Sequence, residues 1–188
     1  MDIELDRRDS YDRELDKRPA GTEQFVKHDA DKPDMRLLPM LAVKAMAAES
    51  HLVSDHYEDF VSVAVDELIS TRSVRPVDRY VRAMAYLGVT LESDLVGHTT
   101  DTIDSLMPRT LLAMGRVLTH GAKKYSPDNW RRIKPEQRHR YLSAALRHLL
   151  AFLTGETLDP ETGEDHRAHA LCSLAFLVEL ELEDLDVD

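Results

Sequence analysis

The sequence predicts an all-α fold, a compact antiparallel helical bundle with an inserted helical segment. Leu and Ala dominate the second half and aromatics are only 6% of the chain, a composition that favours helix. Apolar residues recur at helical spacing in one stretch after another. Proline stands at first-turn positions of several stretches and glycine just past the last turn of others.

Residues 1–30 alternate charges densely with few apolar anchors, and read as a flexible charged arm. HDADKPDMRLLP follows, where Lys32-Pro33 favours an extended or turn geometry. Pro39 then opens a helix carrying Leu41, Val43, Ala45 and Met46. YEDFVSVAVDELIST sets Phe60, Val61, Ala64, Leu68 and Ile69 on one side, with Asp66 and Glu67 at a solvent-facing edge. PVDRYVRAMAYLG starts at Pro76 and is expected to stop at Gly88. VTLESDLVGHTTDTIDS is polar and aperiodic, a loop. Leu37-Leu38-Pro39 is echoed by Leu106-Met107-Pro108, each leading into a Leu/Ala-rich helix.

From Met107 the pattern strengthens. Leu111, Leu112, Val117 and Leu118 lie at helical spacing, and Gly121 is where a left-handed C-terminal residue is expected. AKKYSPDNW reads as a loop with turn chemistry at Ser126-Pro127-Asp128-Asn129. Pro135 and Glu136 start a helix through Tyr141, Leu142, Ala145, Leu149 and Phe152, ending near Thr154-Gly155. The last helix begins around Asp165 and carries Ala168, Leu171, Cys172, Ala175, Phe176 and Leu180. The acidic end ELEDLDVD is expected to fray.

A chain of 188 residues fits one domain with a real core. The lone cysteine, Cys172, excludes an internal disulfide framework and suits a reducing compartment. Neither a signal peptide nor an apolar run of membrane length is evident, so the expected location is cytoplasmic, with no membrane partner. A net charge of −11 argues against general nucleic-acid binding. Charge is polarised: ten Lys/Arg but only Asp128 and Glu136 lie between Pro108 and Leu150. From Gly155 to Asp188 there are eleven acids and a single base, Arg167. That arrangement suits a site for phosphates and a divalent metal, or two solvated faces that attract each other.

The residues able to carry chemistry lie between His120 and Glu179. His148 sits near the end of its helix, and His166 and His169 in the first turns of the next. A short connection lets these helices pack antiparallel and brings His148 and His169 to similar heights, with His166 three residues from His169 on a shared face. Asp165, Glu156 and Asp159 lie nearby. Imidazole with carboxylate suits a transition metal or manganese, and carboxylate alone suits magnesium. The competing reading is that His148 packs at a helix end and His169 hydrogen-bonds the loop. Lys123, Lys124, Arg131, Arg132 and Arg147 are candidate phosphate contacts. Tyr125 and Trp130 are candidates to stack a base whose edge Asn129 reads, although a tryptophan there can equally plug the core.

GAKKYSPDNW and YLSAALRHLLAFLTGETLDPETGEDHRAHALCSLAFL closely resemble a phage-associated family, the dATP/dGTP diphosphohydrolase N-terminal-type domain, grouped with MazG-like nucleotide pyrophosphohydrolases. The likeness covers roughly residues 106–180, and DKPDMRLLP looks like the family's opening segment. It is carried by Gly121, Lys124, Tyr125, Asn129, Trp130, Arg147, His148, Gly155, Glu156, Asp159, Gly163, His166 and His169. Residues 46–107 look like an insertion within a single nucleotide-binding domain spanning 31–185. The Glu-x-x-Glu and Glu-x-x-Asp pairs of MazG-like enzymes have only loose counterparts here, in Glu156-x-x-Asp159 and Glu179 to Glu183.

The resemblance implies hydrolysis of a purine dNTP to the monophosphate and pyrophosphate with a divalent metal, magnesium or manganese, with zinc the other option. Lys124, Arg147 and Lys32 would hold the triphosphate. His148, Asp159, His166 and His169 would place the metal, and Glu156 would be the general base. The expected location becomes the host cytoplasm if the chain is phage-encoded, and a homo-oligomer is expected. The competing functions are a protein that binds nucleotide without cleaving it, and a helical oligomerisation module.

Overall fold

The computed structural model describes residues 32–50, 60–70, 75–96 and 107–185. The arm at 1–30 lies outside them, as do residues 97–106 of the expected loop. The described residues are all-α, with the helices α1 Met40–Ser50, α2 Phe60–Ile69, α3 Pro76–Val96, α4 Pro108–Tyr125, α5 His139–Leu153 and α6 His166–Leu185. Short 3-10 turns lie at Met35–Leu37, Asn129–Arg132 and Pro135–Gln137. None of these helices is long and apolar enough to cross a membrane.

α6 is the central element and packs on α1, α3, α4 and α5. Of its residues, Ala168, Leu171, Leu174, Ala175 and Val178 are completely buried. The described residues between 46 and 107 are continuous with this core: Met46, Met84, Leu87, Leu91 and Met107 join the same cluster. Asp66 is exposed, and Glu67 receives a 3.0 Å hydrogen bond from Arg82, which makes them the solvent-facing edge expected of them. Ile69, expected on the apolar side of α2, is 63% exposed.

Three helix ends differ from the sequence expectation, each for a tertiary reason. α3 does not stop at Gly88 but runs on to Val96, so Val89–Val96 is helix rather than loop. A Cβ at Gly88 would meet Met107 Sδ at 2.8 Å, so the glycine serves close packing against the start of α4 rather than termination. Thr110 Oγ1 donates to the Gly88 carbonyl at 3.0 Å across the same contact. Nor does Gly121 end α4, which continues through Ala122–Tyr125. Pro127 ends it instead, because the residue before proline is kept out of the helical region, and Ser126 takes φ 75°. The acidic end does not fray before Leu185: Glu183 pairs with Arg131, and Glu181 and Asp184 with Arg138.

Two buried glutamates close helix N-termini. Glu179 Oε2 accepts from the Ala42 backbone N–H at 2.9 Å in the first turn of α1. Glu92 Oε2 accepts from Thr110 N–H at 2.8 Å in the first turn of α4. Free amides at a helix start need such acceptors, and a carboxylate also complements the positive end of the dipole. The two Pro-led helices that echo each other in sequence therefore receive the same treatment from elsewhere in the chain.

Candidate functional site

α5 and α6 are joined by a tight hairpin, and its geometry sets the site. α5 ends at Thr154, after which Gly155 turns at φ 97° and Gly163 at φ 71°, conformations that favour glycine. Leu158 and Asp165 form an antiparallel bridge, and Asp159 N–H donates to the Glu164 carbonyl at 2.8 Å. Asp159 Oδ1 accepts from Glu161 N–H, Thr162 N–H and Thr162 Oγ1 at 3.1, 2.9 and 3.0 Å, which fixes its carboxylate from within the turn. Asp165 accepts from Arg167 N–H at 2.7 Å and holds the Arg167 guanidinium, so it serves the start of α6 rather than the histidines.

Folding α6 back against α5 brings the histidines together. Nδ1 of His148 lies 2.8 Å from Nδ1 of His166. His148 also stacks on His169 with centroids 4.6 Å apart and planes 16° from parallel. His148, Asp159 and His166 each place one ligand atom within 4.8 Å of the others, a possible three-residue metal site. His169 Nε2 is instead 2.7 Å from Thr162 Oγ1, the loop-fastening role weighed against ligation. Burial, and then the neighbouring His169 and His166, push His148 down to about 4. Burial likewise lowers His169, against the pull of Asp159. Burial raises Asp159, but hydrogen bonds from Thr162 and the nearby histidines outweigh it and leave the carboxyl below its usual range. His148 and His169 are therefore uncharged near neutral pH and Asp159 is ionised, the forms in which metal ligands bind.

His148 and Asp159, but not His166, line a cleft of about 1020 Å³ between α4, the Ser126–Ile133 segment, α5 and α6. His148, Asp159 and His169 line it together with Lys124, Tyr125, Asn129, Trp130 and Arg147. The cleft thus joins most of the residues expected to form a site. Trp130 is buried and stacks on Phe176 at 4.7 Å, with Tyr141 edge-on to the same ring, so it plugs the core as well as lining the wall. Lys123 is exposed and outside the lining, and Lys32 is exposed on a segment that rests against α4. That segment is held by Asp34 N–H donating to Thr119 Oγ1 at 2.7 Å and by packing of Pro33 and Met35 over Gly115. Arg131 also lies outside the lining: its guanidinium sits 4.3 Å over the Trp130 ring and pairs with Glu179 and Glu183. Glu156 faces the other side of His166, with Oε2 3.7 Å from Nε2.

The acidic and basic stretches pair in part, through Arg116, Lys124, Arg131 and Arg138. Lys124 pairs with Glu161 at 2.5 Å and Arg116 with Glu164 at 2.8 Å, which ties α4 to the hairpin. Among the described residues, Arg132, Arg140 and Arg147 line the cleft and make no ion pair. Arg140 was not singled out in the sequence, although it precedes Arg147 by two helical turns and so shares its face. His120 and Thr162 also line the cleft. His120 announces itself only through its place on the α4 face, and Thr162 shows no sequence signal.

Comparison with known proteins identifies the family. A family model described as "dATP/dGTP diphosphohydrolase, N-terminal" matches residues 95–188, half of the chain. A dATP/dGTP diphosphohydrolase of Salmonella phage PMBT28 is 40% identical over 70 residues, covering 37% of this chain. The match spans 23% of that relative's own length. No solved structure matches. The matched region holds α4, the hairpin and both histidine-bearing helices, and on that ground the chain belongs to the dATP/dGTP diphosphohydrolase N-terminal family.

Proposed function

We propose that the cleft binds a purine deoxynucleoside triphosphate, dATP or dGTP, and hydrolyses it to the monophosphate and pyrophosphate with a divalent metal. One observation carries this reading: His148 and Asp159, which approach His166, line a cleft whose wall also presents Arg140 and Arg147, unpaired among the described residues. The relative's name supports the substrate class. The donor set fits a metal. Two nitrogens bound to one tetrahedral zinc at about 2.0–2.1 Å each stand about 3.3 Å apart, so the rings, whose Nδ1 atoms lie 2.8 Å apart, need to open by about half an ångström to admit it. Two imidazoles with one carboxylate suit manganese or zinc better than magnesium.

Bound there, the metal would polarise the scissile phosphoryl group and lower the pKa of a water. Arg147 and Arg140 present forked donors that match phosphate oxygens. Lys124 joins them by exchanging Glu161 for phosphate, a small loss because exposed ion pairs are weak. Tyr125, exposed at the cleft wall, offers a ring face to the base, and Asn129 its amide. Positioning and charge neutralisation are what phosphoryl transfer asks of a site. Glu156 lies behind His166 rather than in the cleft, which suits orientation of that ring better than proton abstraction.

Binding without cleavage is the second reading. It is favoured by the commitments of Glu179 and Glu183, the helix acids nearest to a MazG-like pair, to Ala42 N–H and Arg131. Incubation with dATP or dGTP and Mn²⁺ or Mg²⁺, with separate readout of pyrophosphate and orthophosphate, decides between them. Pyrophosphate release that is lost in His148→Ala supports the hydrolase. Nucleotide binding without any release supports the sequestering protein.

A further inference from the structure

The His166 ring is 4% exposed, and its two nitrogens meet different surroundings. Nδ1 faces His148 Nδ1, and His148, Asp159 and His166 together form the possible metal site. Nε2 is buried and has no hydrogen-bond partner among the described residues. A neutral imidazole carries one N–H and one lone pair, so the surroundings choose which nitrogen holds the proton. The carboxylate on the Nε2 side belongs to Glu156, 3.7 Å away and half exposed. Its backbone is fixed by the turn after α5, where Glu156 N–H donates to the Ala151 carbonyl at 3.0 Å. A rotamer adjustment brings the carboxylate to a bonded distance of about 2.8 Å.

We propose that Glu156 is a positioning residue: it accepts the Nε2 proton of His166 and keeps Nδ1 unprotonated toward His148 and Asp159, which strengthens the cluster's hold on a divalent cation. Metal-ligating histidines commonly give their other N–H to a carboxylate, which fixes both tautomer and ring orientation. An unprotonated Nδ1 on His166 also makes His148 the donor in the bond between the two rings when no metal is present. The role in cation binding rests on the metal reading under Proposed function; the tautomer does not.

The test uses the full-length chain and two readouts. In metal-free protein with ¹⁵N-labelled histidines, NMR should show the His166 proton on Nε2, and Glu156→Ala should move it toward Nδ1. Titration with Mn²⁺ should show binding weakened about 10–100-fold in Glu156→Ala. Glu156→Gln, whose amide oxygen still accepts, should lose less, and His148→Ala should abolish binding. A parent protein with the His166 proton on Nδ1 overturns the proposal, as does a Glu156→Ala variant with unchanged tautomer and Mn²⁺ affinity. If the parent binds no Mn²⁺, the metal reading of the site falls, and the tautomer readout alone decides the role of Glu156.

Discussion

The Nδ1 atoms of His148 and His166 stand 2.8 Å apart across the α5–α6 interface, a spacing that admits one proton between them and not two. Burial and the adjacent imidazoles push His148 from 6.5 down to about 4. Between those values the unfolded chain takes up a proton that the folded site refuses. In metal-free protein this contribution to stability is therefore complete above about pH 6.5 and lost as pH falls toward 4. His169, also lowered, acts with the same sign. Urea midpoints in EDTA should decline from pH 7 to pH 5, with a shallower slope in His148→Gln. Equal slopes in the two proteins would refute the assignment.

Two arginines expected to contact phosphate should behave differently. Arg147 lines the cleft without an ion pair, and Arg131 is tied to Glu179 and Glu183 over Trp130. Hydrogen bonds to charged groups contribute about 1.5–3 kcal/mol, so Arg147→Ala should lower kcat/KM by about 10–100-fold. Arg131→Ala should lower the melting temperature and leave KM within about twofold, as a partly exposed ion pair away from the substrate should. Steady-state kinetics beside a thermal melt for each variant checks both halves.

The meeting of His148 with His169, whose rings stack at 4.6 Å, was legible in the sequence because local rules govern it. A short Gly-rich connection between two apolar helices forces an antiparallel return, and residues at the joined ends must come to the same level. Gly88 and Gly121 misled for the opposite reason. Glycine after an apolar run reads as a stop, yet Gly88 is selected by the approach of Met107 from α4, a contact no local pattern records. The polarised charge was visible, but not which charges would cancel. Only packing shows that Lys124 meets Glu161 while Arg140 and Arg147 make no ion pair among the described residues.

Glu179, a loose counterpart of one MazG-like carboxylate in the sequence, sets its side chain at the start of α1. Its Oε2 accepts from Ala42 N–H at 2.9 Å while the side chain is 4% exposed. Removing a buried acceptor strands the amide, which costs about 1–3 kcal/mol. Glu179→Ala should lower the unfolding free energy from denaturant titration by that amount, and Glu179→Gln by less because the amide oxygen still accepts. Mn²⁺ affinity should stay at the parent level in both. Loss of metal binding in a folded Glu179→Gln would return this residue to the site.

Ser126 combines φ 75° with ψ 155°, a region that belongs almost entirely to glycine and costs other residues about 1–3 kcal/mol. Pro127 forbids the helical alternative, and the preceding turn of α4 leaves the chain no gentler exit. Asp128, at φ 54°, is also left-handed, and both residues line the cleft beside Tyr125 and Asn129. Ser126→Gly relieves the strain but adds freedom to the unfolded chain, which offsets about 0.4–1 kcal/mol of the gain. The net expectation is a stabilisation of about 1 kcal/mol. If the strained turn holds Tyr125 and Asn129 in place for the nucleotide, the more stable variant should show a raised KM with kcat little changed. A stabilised variant with unaltered KM would mean that the strain only serves to end the helix.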